Sequence, residues 1–589
     1  MKEVGPLHRV IRFDAFDVDL RNAEVRKHGI KIRLQEQPFH VLQILLEHPG
    51  ELVTREELQR QIWPADTFVD FEKGLNNAIK RLRDALGDSV EQPRFIETLS
   101  KRGYRFMGSV EELGNGARMP AGPAAAVTVD SIAVLPFTSM SADPEDEFFS
   151  DGITEEIINA LAQIEQLHVV ARSSAFAFKG KHVDPRVVGE QLKVRTVLEG
   201  SVRRADNRLR VTVQLVNAAD GYHLWSERYD REMKEIFDIQ DQIARSVAER
   251  LKVTLGGRRQ QLVKVGTEDL EAYQLYLKGR VLLFRRDSAI PYLDCFERAV
   301  KLDPNYAQVW AGLADSYIVL GYSGVARPEA SMPKAMEAAR RAVALDPSLA
   351  EAHNALAMAS LMGTWDRAEA EREFLRALEL NPRYIQARDW YALFYLQFSE
   401  GRLTEGMAQA KLAVVSDPLS SYAQAVYGLT CGLARKHADA VEACERAVEI
   451  DSGSYLARAI LQMVLYLSGR FEESIASGEL AVAKSGRQVW AMVLLAMTFA
   501  DWGKAGDADA VYSEMLARAR RLYVPPASLA IMAAAAGTQD EAIHHARQAF
   551  EIRDPMSQIW FSRAWPASAR LRADARFQEI VAETGWLRK

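Results

Sequence analysis

The sequence of 589 residues predicts a multidomain protein that combines α+β and all-α folds. A small α+β domain comes first, a mixed α/β domain follows, and the rest forms an α-solenoid. Residues 111–130 are rich in Gly, Pro and Ala without an apolar period, which predicts a linker. From residue 131 apolar strands alternate with amphipathic helices, and beyond residue 268 one motif recurs at nearly constant spacing.

The composition is that of an ordinary globular protein. The chain has 74 Lys and Arg against 80 Asp and Glu, a formal charge of −6, which excludes a uniformly basic surface but permits one local basic face. The three cysteines form no C-x-x-C pair and no histidine cluster accompanies them, so neither a metal nor another cofactor is expected. No signal peptide and no membrane-spanning run are found, so we expect a cytoplasmic protein with no membrane partner.

The first domain is predicted over residues 8–110. Short alternating stretches between residues 10 and 33 favour a small antiparallel sheet. A helix over 35–49 follows, and then one over 54–63 in which Thr54 and Glu57 form a capping box. A third helix is predicted over 73–86 and a β-hairpin over 95–106.

The third helix, which contains LNNAIKRLRDAL, has two different faces. At 100° per residue its apolar side chains form a core stripe of Leu75, Ala78, Ile79, Leu82 and Leu86. Its polar side chains lie opposite or at the flanks: Asn76, Asn77, Lys80, Arg81, Arg83 and Asp84. Gly87 is predicted to end the helix.

A basic hairpin follows this helix. Residues 95–99 predict a strand, residues 100–103 a turn with Lys101 and Arg102, and residues 104–106 a returning strand with Arg105. Residues 73–105 hold eight Lys and Arg against four Asp and Glu. A helix with a basic outer face and a hairpin with a cationic tip have the arrangement of a winged helix-turn-helix, which binds DNA.

The sheet, the three helices and the hairpin ending in RGYRF resemble the OmpR/PhoB-type winged-helix domain, including its ToxR-like members, over about residues 8–108. The resemblance implies that the third helix enters the major groove of double-stranded DNA and that the wing touches the adjacent minor groove or its phosphates. It implies DNA-binding roles for Asn76, Asn77, Lys80, Arg81 and Arg83 on the helix and for Lys101, Arg102 and Arg105 on the wing. It also makes RNA polymerase a candidate partner of the loop between the second and third helices.

Two residues depart from the pattern of that family. Ala78 stands where a larger polar side chain would read a base, and Asp84 would repel phosphate if it faced the groove. The operator sequence therefore does not follow from the resemblance. Nothing precedes the winged helix where a phosphoacceptor receiver domain usually stands, so no phosphoaspartate switch is expected in this chain.

The middle domain is predicted over residues 131–256. SIAVLPF predicts a buried strand, 196–204 and 208–217 predict a hairpin, and 222–230 predicts a further strand. A helix over 150–164 is expected to take Ser150, Asp151 or Thr154 as its N-cap. The polar residues Asp151, Glu155, Glu156 and Arg172 are interpreted as caps and turns. The segments from SIAVLPF to LWSERYDREMKEIFDIQDQIA are similar to a TolB-like module, which is regarded as non-catalytic.

The C-terminal part is predicted to be a repeat array over residues 268–555. RAVKLDP, RAVALDP and RALELNP, with two weaker copies, place Asp or Asn at 303, 346, 381, 417 and 451. Steps near 34 residues are typical of tetratricopeptide repeats, whose helix pairs stack and offer a concave surface to a protein or peptide ligand. About seven or eight helix pairs are expected, and residues 556–589 are expected to cap the array.

Together these features predict a DNA-binding transcriptional regulator whose repeat array binds a partner or signal, with a homodimer on DNA as the hypothesis for assembly. A first alternative is a scaffold protein whose winged helix binds proteins instead of DNA. A second is an enzyme with a site in residues 131–256, which is least favoured because no nucleophile, base and orienting group occur together. The chain is therefore not expected to be an enzyme.

Overall fold

The computed structural model describes residues 10–14, 16–20, 24–27, 30–32, 34, 36–62, 71–89, 93–99, 102–113, 130–141, 143–164, 167–181, 183–205, 207–251, 266–285, 289–584 and 586. The chain forms two compact units, Met1–Thr128 and Val129–Lys589. Within the described ranges, no helix combines the length and the apolar character that crossing a membrane requires.

The first unit contains two small sheets and three helices. The strands are β1 Val10–Phe13, β2 Phe16–Asp19, β3 Glu24–Lys27, β4 Ile30–Ile32, β5 Leu52–Thr54, β6 Ile96–Leu99, β7 Gly103–Phe106 and β8 Glu111–Leu113. The helices are α1 Glu36–Glu47, α2 Arg55–Ile62 and α3 Phe71–Leu86. One antiparallel sheet has the order β4-β3-β2-β1-β8, and the other has the order β5-β7-β6. Because β8 pairs with β1, residues 111–113 of the predicted linker belong to the domain.

An aromatic cluster joins these elements. Phe13 lies 4.9 Å from Phe106 and 5.5 Å from Phe95, measured between ring centroids.

The predicted capping box at the start of α2 is confirmed: the backbone N–H of Thr54 donates to Glu57 Oε2 at 2.8 Å, and the N–H of Glu57 donates to Thr54 Oγ1 at 3.2 Å. The backbone N–H of Thr54, followed by its hydroxyl, which donates to the same carboxylate oxygen at 2.8 Å, holds the pKa of Glu57 below its ordinary value.

The second unit begins with a mixed α/β domain. Its strands are β9 Asp130–Val134, β10 Thr138–Ser139, β11 Leu167–Val169, β12 Thr196–Ala205, β13 Arg208–Asn217 and β14 His223–Glu232. Its helices are α4 Pro144–Ala162, α5 Arg172–Phe176, α6 Pro185–Leu192 and α7 Ile236–Arg250. The sheet order is β11-β9-β12-β13-β14, with β10 on β12; β9 and β11 run parallel and the hairpins antiparallel. The predicted alternation of β13 is confirmed, because Leu209, Val211, Val213 and Leu215 are all fully buried.

The predicted N-cap of α4 is wrong. The helix begins earlier than expected, and Asp143 caps it by accepting a hydrogen bond from the N–H of Glu145. Ser150, Asp151 and Thr154 therefore lie inside the helix, where all three are buried. The Asp-Pro pair at 143–144 is the local signal that marks the true start.

Three of the four polar residues interpreted as caps and turns form ion pairs instead: Asp151 and Glu155 on α4 and Arg172 on α5. Glu155 contacts Arg172 Nε at 2.9 Å and Arg280 Nη2 at 2.7 Å, and Asp151 pairs with Lys179. Arg280 lies in the first helix of the repeat array, so these pairs join the two parts of the unit. Burial is the main cause that raises the pKa of neighbouring Glu156 to about 7.

The repeat array occupies the remainder of the unit. Its helices are α8 Leu270–Arg285, α9 Ala289–Leu302, α10 Ala307–Tyr322, α11 Pro328–Leu345, α12 Ala350–Ala359, α13 Arg367–Leu380, α14 Ile385–Trp390, α15 Leu403–Ser416, α16 Ser421–Leu433, α17 His437–Ile450, α18 Tyr455–Leu467, α19 Phe471–Lys484, α20 Val489–Asp501, α21 Ala505–Ala519, α22 Pro526–Ala535 and α23 Gln539–Glu551. α12 continues as a π-helix over Ser360–Thr364, and α14 over Tyr391–Ser399. In the described part of the chain these are eight consecutive helix pairs, within the predicted number.

The recurring Asp or Asn has a local structural cause. Asp303, Asp346, Asn381 and Asp451 each follow the second helix of a pair, and each side chain accepts a hydrogen bond from a backbone N–H two residues on. Such Asx turns set the direction of the chain between repeats. Asp417, at the fifth such position, is instead fully buried and accepts hydrogen bonds from Ser174 of the α/β domain.

The C-terminal segment does more than cover the last repeat. Its helices are α24 Ser557–Trp560, α25 Ala569–Ala573 and α26 Ala575–Thr584. Ser562 Oγ donates to the carbonyl of Phe398 at 2.6 Å, and the Trp565 ring stacks on Tyr466 with 6.2 Å between centroids. The segment thus crosses to repeats in the middle of the array.

Candidate nucleic-acid interface

The candidate DNA-binding helix α3 is built as its sequence pattern predicts. Its core stripe is confirmed, because the five predicted apolar residues are all buried: Leu75, Ala78, Ile79, Leu82 and Leu86. Asn77, Lys80 and Arg81 are exposed on the outer face. Gly87 has φ +65° and ends the helix in the left-handed region that glycine favours.

Ala78 does not stand at a base-reading position. Its side chain is 3% exposed and belongs to the core stripe, so the predicted departure from the family pattern is wrong at this residue. The side chain of Asp84, the second departure, lies outside the described residues.

Arg83 is placed differently from the outward role that the resemblance implied. It is 6% exposed, and its Nη2 donates to the carbonyl of Ile96 and to Thr98 Oγ1, both at 2.7 Å. Both acceptors lie on β6, the first strand of the wing. Arg83 lies at the flank of the core stripe, next to Leu82, and β6 covers this flank of the helix. Its guanidinium therefore fastens α3 to the wing.

A second tie between α3 and the wing involves a residue that the sequence pattern did not single out. Asp88 Oδ1 accepts from the N–H of Arg94 at 2.7 Å, and Asp88 Oδ2 accepts from the N–H of Ile96 at 2.8 Å. One carboxylate thus holds the start of β6 directly after the helix ends. An Asp following a helix-ending Gly is a recognised turn signal and could have identified it.

Asn76 belongs to a series of hydrogen bonds that connects α3 to β7, the second strand of the wing. Arg55 Nη2 donates to Tyr104 Oη at 3.0 Å, and Tyr104 Oη donates to Asn76 Oδ1 at 3.1 Å. Asn76 is exposed, but its carbonyl oxygen already accepts this hydrogen bond. Asn76 therefore links α2, α3 and β7, a contact that only the folded domain creates.

The wing pairs β6 with β7 in the register Glu97↔Arg105 and Leu99↔Gly103. Arg105 is partly buried and its Nη1 lies 3.3 Å from Glu97 Oε2, so its charge is partly neutralised within the wing. Arg102 is exposed at the tip, and Lys101 lies outside the described residues. Gly103 is required by close approach, because a Cβ there would meet the carbonyl of Val53 on β5.

Two family models match parts of the chain. One, described as "Transcriptional regulatory protein, C terminal", matches residues 29–106 and so covers α3 and the wing. The other, described as "HilA/YgeH-like transcriptional regulator, second domain", matches residues 128–246. The winged-helix part of the OmpR/PhoB-type resemblance is thereby supported, whereas the TolB-like resemblance of the middle domain stays a prediction.

Relatives match different shares of the chain. The transcriptional regulator HilA of Salmonella typhimurium strain LT2 is 24% identical over 581 residues, which are 95% of this chain and 97% of HilA. Putative adenylate cyclase 3 of Rhizobium meliloti strain 1021 is 42% identical over 246 residues, which are 41% of this chain and 42% of that protein. The solved DNA-binding domain of Klebsiella pneumoniae RstA, in complex with its RstA box, is 28% identical and covers 17% of this chain and 96% of that domain, with a TM-score of 0.15.

Proposed function

We propose that the protein is a DNA-binding transcriptional regulator that inserts α3 into the major groove of promoter DNA. Asn77 and Arg81 contact base edges, because an amide pairs with adenine and a guanidinium with guanine through two hydrogen bonds each. Lys80, Lys101 and Arg102 contact phosphates, which set the register of the domain on the duplex. The family descriptions and the full-length similarity to HilA support this proposal.

The observation that carries the proposal is the combination of an exposed polar face and a fastened wing. Asn77, Lys80 and Arg81 are exposed, while Arg83 and Asp88 hold β6 against the same helix. A rigid support of this kind lowers the entropy cost of placing two elements on DNA together. In this proposal Arg83, Asn76 and Arg105 position the interface, and the DNA contacts come from Asn77, Lys80, Arg81, Lys101 and Arg102.

The test uses the full chain and two labelled duplexes: one selected by the protein from a random library, and a scrambled one. We expect log Kd to rise linearly with log salt concentration on both duplexes. Arg81→Ala should weaken binding to the selected duplex by about 1–3 kcal/mol, with little effect on the scrambled one. Lys80→Ala should weaken both about equally and reduce the salt slope by about one.

Arg94→Ala is the matched control, because Arg94 is exposed but pairs with Asp14 away from the outer face of α3. It should leave both affinities unchanged. Retention on duplex DNA that does not depend on salt, or no retention at all, contradicts the proposal and favours the scaffold alternative.

We further propose that the repeat array binds a protein or another signal and that two chains meet on DNA. Light scattering with and without the selected duplex tests the second point, and a monomer in both states refutes it. RNA polymerase remains the candidate partner of the α2–α3 loop, whose residues 63–70 lie outside the described ranges. The cyclase relative is matched over 42% of its length, and we propose no cyclase activity for this chain.

A further inference from the structure

The repeat array forms a partly open, mainly apolar cavity of about 520 Å³. Its walls come from α10, the π-helical continuation of α14, α16, α18, the start of α20, and α24 of the C-terminal segment. Cavities of 300–1,000 Å³ lined mainly by apolar and aromatic groups are typical of small-molecule sites.

The array closes on itself around this cavity. The Gly324 backbone packs against the ring of Pro525, and the Arg327 guanidinium carbon lies 5.2 Å from the centroid of the Tyr523 ring. The bond from Ser562 to Phe398 holds the C-terminal segment across the repeats. An extended peptide needs a groove along several repeats, whereas a volume of about 520 Å³ is that of a small-molecule site. The size of this partly open cavity therefore favours a small molecule over a peptide.

The lining defines the chemistry of the ligand. Tyr322 and Phe394 lie 5.8 Å apart between ring centroids, and Tyr455 and Trp490 lie 6.3 Å apart, so aromatic rings are offered on two walls. Planar aromatic ligands gain from such ring contacts beyond the burial of their area.

Lys484 is the single charged residue among the described residues that line the cavity. It is exposed at the end of α19, and its ammonium group makes no ion pair with any residue that the structure describes. Gln488, the residue that precedes α20, also lines the cavity. A cation that makes no ion pair with the described residues, at the edge of an apolar cavity, complements one negative charge on the ligand.

We propose that this cavity binds a small aromatic molecule with a single negative charge, its rings between the aromatic walls and its anionic group at Lys484. Such a ligand would give the regulator a small-molecule input separate from its DNA-binding domain. The proposal does not depend on DNA binding, because the site lies wholly in the second unit.

The test compares two fluorescent probes that share one ring skeleton: anilinonaphthalene sulfonate, which is anionic, and phenylnaphthylamine, which is neutral. Each is titrated into the full chain without DNA, so failure here is distinct from failure to bind DNA. We expect one site per chain for each probe. Leu456→Trp, which fills the cavity, should lower the affinity for both probes about tenfold or more.

Lys484→Gln should lower the affinity for the anionic probe roughly threefold and leave the neutral probe unchanged. Two exposed residues outside the lining provide matched controls, Leu480→Trp and Lys436→Gln, which should change neither affinity. Val319→Phe, on another wall, repeats the filling test if Leu456→Trp lowers the melting temperature.

Binding of both probes that survives the two filling variants would overturn the cavity as the site. An equal loss of both probes in Lys484→Gln, or no loss of the anionic probe, would overturn the assignment of the anionic group. Displacement of the probes by an apolar peptide but not by small aromatic anions would overturn the choice of a small molecule.

Discussion

Replacing Arg83 by Met separates fastening of the wing from recognition of DNA. The variant keeps the apolar stem of the side chain but removes two hydrogen bonds of 2.7 Å from a charged donor to β6. Each such bond contributes about 1.5–3 kcal/mol. Part of this is offset because the variant no longer buries a guanidinium, whose Nε has no hydrogen-bond partner among the described residues. We expect a net destabilisation of the first unit of about 2 kcal/mol.

Hydrogen exchange of the β6 and β7 amides, measured by mass spectrometry on the full chain, reports this effect locally. A loss of about 2 kcal/mol corresponds to roughly 30-fold faster exchange of amides that open with the wing. Arg81→Met is the matched control two residues earlier in the same helix. Because Arg81 is exposed, we expect Arg81→Met to change the opening free energy of the β6 and β7 amides by no more than about 0.5 kcal/mol.

The two variants should differ in the opposite sense in DNA discrimination: Arg81→Met should have the larger effect there and the smaller effect on wing exchange. Arg81→Met should lose discrimination between the selected and scrambled duplexes, whereas Arg83→Met should weaken both through a loosened wing. The reasoning is refuted if Arg83→Met leaves wing exchange at the wild-type rate and loses discrimination as Arg81→Met does. In that case the guanidinium of Arg83 would act at the DNA.

Two further predictions concern the second unit. Glu155→Gln removes the carboxylate that pairs with the guanidinium groups of Arg172 and Arg280, and breaking such a buried pair should lower the free energy of unfolding by about 3–5 kcal/mol in urea denaturation of the full chain. A loss below about 0.5 kcal/mol would contradict the pairing. Burial raises the pKa of Asp554 to about 6, above an unfolded value of about 4, so stability should be lost as pH rises between these values. Asp554→Asn should abolish that decline in melting temperature, and an unchanged pH profile would show that another group causes it.

Local patterns in the chain were sufficient to predict several elements of the fold. The stripe from Leu75 to Leu86 follows from helical periodicity alone, because any amphipathic helix buries that face. The capping box of Thr54 and Glu57 closes within four residues and needs no distant contact. The repeats of the array were predictable for the same reason, since each Asx turn after a helix is local.

The candidate interface was predictable only in part. Asn77, Lys80 and Arg81 lie on the face that the helical wheel assigns to them. Arg83 and Asn76 lie at the flanks of that wheel, where the neighbouring element decides whether a side chain is covered. β6 covers Arg83, and Tyr104 donates to Asn76, from positions 13 and 28 residues further along the chain. Periodicity within one helix holds no information about such partners.

The order of the domains, the periodic faces of the helices and strands, and most of the caps and turns could be predicted, because each depends on residues close together in the chain. Contacts between distant elements set which cations remain on the outer face of α3, how α4 is joined to α8 through Glu155, and where the repeat array forms its cavity. These features depend on residues tens to hundreds of positions apart, whose meeting is set by packing of whole elements.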